Sequence, residues 1–218
     1  MKKIKNIYAI LLLFSAFDIS AANKTVDIDQ AIEQFIGTIS TKSLRASNDG
    51  DLKGCGINFA AIGRDFSTKQ GALFKAVGSY YFRNVAGKPE FWLKLGIFDV
   101  DPKNPAVENI ATISNAHIAS DKRESLKYRL KFSGDTPGFK IYSFDATKDS
   151  SDIWLDFLNT GKLKIGFNRS PEQQDVVFTV DGTVSDSSVI DDKFVRQFSR
   201  ENLTDIEACS ALLAKTFN

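Results

Sequence analysis

Residues 125–132, Ser-Leu-Lys-Tyr-Arg-Leu-Lys-Phe, alternate without a break: Leu126, Tyr128, Leu130 and Phe132 fall on one side of an extended chain, and Lys127, Arg129 and Lys131 on the other. Side chains of a strand point to opposite faces in turn, so this run predicts an antiparallel strand with one face on a core and the other in water. Outward from it, residues 54–62, 72–83 and 90–100 carry alternating or near-continuous apolar positions, broken by turn residues such as Gly87-Lys88-Pro89. Residues 107–119 precede the reference strand across Ser120-Asp-Lys-Arg-Glu124, and Gly134-Asp-Thr-Pro-Gly138 turns the chain into residues 139–144. Residues 163–167 and 176–180 read as a further pair. Short links between consecutive strands favour antiparallel neighbours.

Helical spacing flanks this β region. Ile28, Ile32, Phe35, Ile36 and Ile39 recur at intervals of three and four, predicting a helix over 28–44, with Asp27 and Gln30 as a capping pair. Residues 151–160 read as a short helix stopped by Gly161, and a last helix starts at Ser188 or Asn202 and runs to Phe217. The expected fold is therefore α+β: a single domain with a curved antiparallel β-sheet of about six to eight strands packed by N- and C-terminal helices.

The run Leu158-Asn-Thr-Gly161-Lys-Leu163-Lys-Ile165, followed by Phe178-Thr-Val180-Asp-Gly182, resembles the closing segment of several small exported bacterial proteins, among them the invasion-associated locus B proteins. The resemblance spans 25 residues, rests on apolar spacing and two glycines, and assigns no site residue.

The first 22 residues have the layout of a cleaved signal peptide: Lys2, Lys3 and Lys5, an apolar run over 7–17, and the small-residue exit Ser20-Ala21-Ala22. This run of eleven residues falls well short of the roughly 20 that span a bilayer, so no stable membrane insertion is expected. The mature chain, 23–218, is read as a single domain. Removing residues 1–22 takes away three lysines and one aspartate and shifts the formal charge from +1 to −1. That balance carries no electrostatic footprint for nucleic acid. The expected location is the periplasm, with full secretion as the alternative.

Cys55 and Cys209 are the two cysteines of the chain, and in an oxidising compartment an even pair reads as a disulfide. The rival is a nucleophilic thiol on a Gly54-Cys55-Gly56 elbow with His117 as base. His117 is the single histidine, which removes two-histidine metalloprotease motifs and makes a histidine-built zinc site improbable; no metal and no cofactor are expected. Neither a Gly-x-Ser-x-Gly elbow nor a phosphate-cradling Gly-x-x-x-x-Gly-Lys-Ser/Thr occurs. Asp99-Val-Asp101-Pro-Lys-Asn104 mimics a calcium loop but has Asn104 where glycine is required and Ile110 in place of the bidentate glutamate.

Recognition is expected from aromatics. Tyr80 and Tyr81, and likewise Phe91 and Trp92, are consecutive bulky residues on strands, so one of each pair must leave the face that buries the other. These four form the candidate binding surface. The sequence thus favours an exported, non-enzymatic factor, accessory or neutralising, that binds a protein partner in a bacterial envelope or secretion system. An apolar-ligand carrier is the alternative. A carboxylate-dependent envelope hydrolase, using Asp145 with Asp149 or Asp152, or Asp191 with Asp192, stands third.

Overall fold

The structure, a computed structural model, describes residues 32–101, 104–123, 129–134, 136–191 and 193–217. Within them lie twelve strands, two complete helices and the helical residues Ile32 and Glu33. A seven-stranded antiparallel sheet contains β1 (Gly37–Asn48), β2 (Asp51–Asp65), β3 (Ala72–Val85), β4 (Lys88–Asp101), β5 (Asn104–Ile110), β7 (Arg129–Ser133) and β8 (Phe139–Asp145). Its order is β1-β2-β3-β4-β8-β7, and β5 pairs with β4 beyond the end of β8. A second sheet has the order β10-β9-β6, from β6 (Asn115–Ala119), β9 (Lys162–Asn168) and β10 (Val176–Asp181). A hairpin of β11 (Val184–Ile190) and β12 (Lys193–Phe198) forms the third. Helices α1 (Lys148–Thr160) and α2 (Glu201–Ala214) complete the fold.

This is a β-rich architecture and not the expected α+β domain with helices from both ends. The predicted N-terminal helix over 28–44 is overturned from Gly37 on, because Gly37–Asn48 is an edge strand; Ile32 and Glu33 are helical, and residues 28–31 lie outside the described residues. Gly37 adopts a φ of 114°, closed to most side chains, and Thr38, Ile39 and Thr41 are β-branched residues that favour a pleated surface. The three-and-four spacing of apolar residues therefore straddles a boundary. Phe35 and Ile39 still meet, in a small cluster with Ile62, Leu73 and Phe194 that covers one end of the large sheet's outer face. Residues 107–119, read as one strand, divide between two sheets as β5 and β6. The last helix starts near Asn202, since the segment from Ser188 belongs to the β11–β12 hairpin.

Consecutive long strands are joined by tight turns. Asp49-Gly50 connects β1 to β2 and Ala86-Gly87 connects β3 to β4, all four residues with positive φ, which matches the twist of two-residue hairpins. The small sheet folds back until β10 reaches the edge of β1. There the closure uses side chains: Thr38 Oγ1 accepts from the Asp181 N–H (2.7 Å), and Thr41 Oγ1 donates to the Val184 carbonyl (2.8 Å). Ser187 Oγ donates to the Ile39 carbonyl (2.6 Å) and Arg196 Nε to that of Thr38 (2.8 Å). One continuous core lies between the sheets, with Ile57, Phe74, Tyr80, Leu93 and Tyr142 from the large one and Ile118, Ile165 and Phe178 from the small one.

Helix α1 seals part of that core. Thr147 caps its start, its Oγ1 accepting from the Ser150 N–H (3.3 Å), and Gly161 ends it in the left-handed conformation. Its buried face brings Ile153, Trp154 and Phe157 to the large sheet's aromatics. Helix α2 buries Leu203, Ile206, Cys209 and Leu213. The Cys55–Cys209 disulfide, as expected from the sequence, joins α2 to the sheet, on its second strand because β1 precedes it. Among the described residues no helix is long and apolar enough to cross a membrane.

Glycines sit directly opposite rings across the strands: Phe59 faces Gly78, Phe74 faces Gly63, Phe139 faces Gly96 and His117 faces Gly166. Each ring lies over its glycine, an arrangement that fills the missing side-chain volume and lets the sheet curve. At Gly78 a Cβ would fall 2.3 Å from the Lys94 carbonyl oxygen and 2.7 Å from the Phe59 ring. Gly78→Ala should therefore cost about 1–3 kcal/mol by overpacking. Gly50→Ala, where nothing lies within 4 Å but φ is 86°, should lose only the left-handed penalty of about 1 kcal/mol. Urea unfolding of the two variants checks the order.

Candidate functional site

The register of β3 against β4 decides which sequence-predicted aromatics share a face. Tyr81 pairs with Trp92, Phe82 with Phe91, and Tyr80 with Leu93. Tyr80 and Phe91 point into the core, at 0% and 2% exposure. Tyr80 meets the rings of Phe91, Phe144, Trp154 and Phe157 at centroid distances of 6.1, 6.2, 5.2 and 6.5 Å. Its hydroxyl is enclosed without a hydrogen-bond partner, and burial pushes its pKa well above the usual tyrosine value. Tyr81 and Trp92 stand together on the outer face, their rings 6.1 Å apart, but Trp92 is only 7% exposed. The four candidates thus split into an inward pair and an outward pair.

The outward pair has neighbours that sequence reading passed over. Arg83, two positions from Tyr81 on the same face of β3, lays its guanidinium over the Trp92 ring with Cζ 4.0 Å from the centroid. The indole N–H donates to Glu90 Oε2 at 2.7 Å. Tyr81 is half-buried, and desolvation raises its pKa against the opposing pull of the Arg83 charge and of a hydrogen bond from the Arg83 side chain. Gly54 and Gly56 of β2 pair with Arg83 and Tyr81 and place no side chain beside them. Lys94 of β4 and Lys42 of β1 lie one outward row further on. The signal for this group was present as Tyr81-Phe-Arg83 at strand spacing.

A second polar group closes the far end of the core. Arg169, following β9, donates from Nε to Asp65 Oδ2 (2.7 Å) and grips Asp99 with Nη2 and Nη1 (2.7 and 3.2 Å). Asp65 also accepts from the Thr68 N–H (2.8 Å) and hydroxyl (2.7 Å). Although burial alone would raise it, these hydrogen bonds and the Arg169 charge hold the Asp65 carboxyl below the ordinary carboxylate pKa. The Asp99 side chain, first residue of the calcium-loop mimic, is thereby committed to an ion pair; residues 102 and 103 lie outside the described residues.

His117 stands on the outer face of the small sheet, its ring over Gly166 and its Nδ1 3.4 Å from Asp175 Oδ2. Burial lowers its pKa below 6.5, partly offset by the Asp175 charge. The folded state therefore favours neutral imidazole, and stability is full above pH 6.5 and declines as pH falls from there toward the folded value. Asp175→Asn should lower the His117 pKa further, read from its Cε1–H resonance in an NMR titration.

The remaining chemistry-bearing candidates are accounted for by structure. Both cysteines are buried in the disulfide, so the thiol-nucleophile alternative has no thiol, and Gly54-Cys55-Gly56 is mid-strand. Asp152 pairs with Arg123 at 2.8 Å and with Lys148 at 3.8 Å. Asp191 occupies the β11–β12 turn with φ 49°, and residue 192 lies outside the described residues. No family model, curated protein or solved structure matches the chain.

Proposed function

We propose that this is an exported, non-enzymatic binding protein of the bacterial envelope, an accessory or neutralising factor that engages a protein partner in the periplasm through the outer face of its large sheet. The observation that carries this reading is the stacked group of Tyr81, Trp92 and Arg83 on that face. Trp, Tyr and Arg are the three residue types most enriched among energetic hot spots of protein interfaces. Here they rise from two long paired strands, a rigid mount that loses little entropy when a partner docks. The inward pair Tyr80 and Phe91 supports the site from behind by filling the core.

A photo-reactive phenylalanine at the exposed position Lys42 tests the reading in the native envelope. One dominant protein adduct is expected, reduced at least about fivefold by Tyr81→Ala, the scale of 1 kcal/mol at an interface. His117→Ala should leave it unchanged. An adduct insensitive to Tyr81, or a function lost with His117 while the fold persists, overturns the proposal. The second reading, an apolar-ligand carrier, draws on the enclosed Tyr80 hydroxyl, which has no acceptor among its aromatic neighbours. Native mass spectrometry of protein from the native host, showing a stoichiometric organic ligand, would favour it.

A further inference from the structure

The Cys55–Cys209 bond closes at a place that no oxidant can reach in the finished fold. Both cysteines are 0% exposed and lie against Leu52, Phe82, Leu213 and Phe217, whereas thiol–disulfide exchange needs open access to the sulfur attacked. Oxidation therefore precedes the docking of α2. The two halves of the site also arise at different times. Cys55 pairs with Phe82 across β2 and β3, and Leu52 is on β2, so this half is built by one hairpin. Cys209 follows 154 positions later, on the last helix. In a chain delivered from its N-terminus, Cys55 is the one thiol present until that helix arrives. Its neighbours along the chain are Gly54 and Gly56, which leave the sulfur unscreened while β2 is open.

Resting on the export part of the reading above, we infer that Cys55 is the covalent docking site of a dithiol oxidase, and that Cys209 is the thiol that releases the enzyme. The Cys55 thiolate attacks one sulfur of the oxidase disulfide, forming a Cys55–oxidase bond and expelling the second oxidase sulfur as a thiolate. The Cys209 thiolate, carried in by α2, then attacks the Cys55 sulfur. The Cys55–Cys209 bond forms and the first oxidase sulfur leaves. Two electrons pass from the chain to the oxidase, and the two protons lost by the cysteine thiols balance the two oxidase thiolates. Arrival of the last helix thus supplies the resolving thiol and takes the enzyme's place against Leu52 and Phe82.

The test expresses the full chain in a bacterium whose periplasmic thioredoxin-fold oxidase has its resolving cysteine replaced by alanine, so that mixed disulfides persist. Chains acid-quenched and alkylated after a short pulse should carry the trapped oxidase on Cys55, located by peptide mass. Cys209→Ser should retain the adduct, and Cys55→Ser should lose at least about fivefold of it. In a second arm, full-length protein reduced in urea and refolded without oxidant should react with oxidised glutathione at least about tenfold more slowly than the same chain kept in urea. An adduct on Cys209 in the wild type, equal adducts in the two variants, or equal rates in the second arm overturns the inference. So does a Cys55–Cys209 bond that forms with no adduct, which would assign the oxidation to a small-molecule oxidant. Each of these on an exported chain leaves the export reading standing, whereas a chain retained in the cytoplasm overturns both.

Discussion

Cys209→Ser should lower the stability of the folded protein by about 2–5 kcal/mol, the span observed when a native disulfide is removed from a small secreted domain. The bond joins residues 154 positions apart, and closing a loop of that length removes on the order of 5 kcal/mol of chain entropy from the unfolded state. Both sulfurs are fully buried against Leu213 and the half-buried Leu52, Phe82 and Phe217, so the serine hydroxyl would enter an apolar site. Helix α2 keeps other anchors: Asn202 Nδ2 donates to the Thr41 carbonyl (3.1 Å), and Leu203 and Ile206 remain in the core. The variant should consequently fold, with a lower guanidinium midpoint. Cys55→Ser should match it, and reduction of the wild-type protein should reproduce both. A loss below about 1 kcal/mol in all three would show that the bond is not what holds the helix.

Asp65→Ala should cost about 3–5 kcal/mol, because it leaves the Arg169 guanidinium without the innermost of its two carboxylates. Asp65 is 0% exposed, and the Arg169 side chain only 11%. Such a penalty belongs to the orphaned charge more than to the bond itself, so Asp65→Leu combined with Arg169→Met should be less destabilised than Asp65→Ala alone. The pH dependence has a definite sign. The folded state holds the Asp65 carboxyl below its ordinary 3.8, so its contribution is complete above that value and is lost as pH falls through the folded pKa. The gap in stability between wild type and Asp65→Asn should thus be constant near neutrality and narrow below about pH 4. Urea unfolding at stepped pH measures both. A gap that widens on acidification would reverse the assignment.

Strands β2, β3, β4 and β8 of the large sheet were legible because their inward residues alternate with outward ones over long stretches, as with Phe74, Ala76, Tyr80 and Phe82 on β3. Helix α1 was legible from its apolar face and the Gly161 stop. The N-terminal segment misled because the helical residues Ile32 and Glu33 give way to a strand at Gly37, while Phe35 and Ile39 pack in one cluster across that boundary and keep a helix-like spacing. The hairpin of β11 and β12 was hidden for a different reason: Ser187 and Arg196 face the body of the protein through hydrogen bonds, leaving no apolar alternation to read. At the candidate site, alternation divided each aromatic pair, but only the register with Trp92 brought Arg83 onto the ring. The Arg169 clasp unites residues from positions 65, 99 and 169, a proximity that strand pairing creates and sequence distance conceals.

The bonds that shut the fold also impose an order on its assembly. Hairpins β1–β2 and β3–β4 zip across two-residue turns and need only local encounters. Thr38 must wait for Asp181, Thr41 for Val184, and Cys55 for Cys209. Contacts of such long range place the chain among slow-folding, high-contact-order topologies. A polypeptide delivered from its N-terminus would present an open aromatic trough, with Phe59, Phe74 and Tyr80 uncovered, until α1 and the strands of the small sheet arrive. The last helix comes later still and latches the closed shell: truncation before Glu201 should strip Leu203, Ile206 and the Cys55–Cys209 bond from it and favour aggregation, although every described strand would already be present.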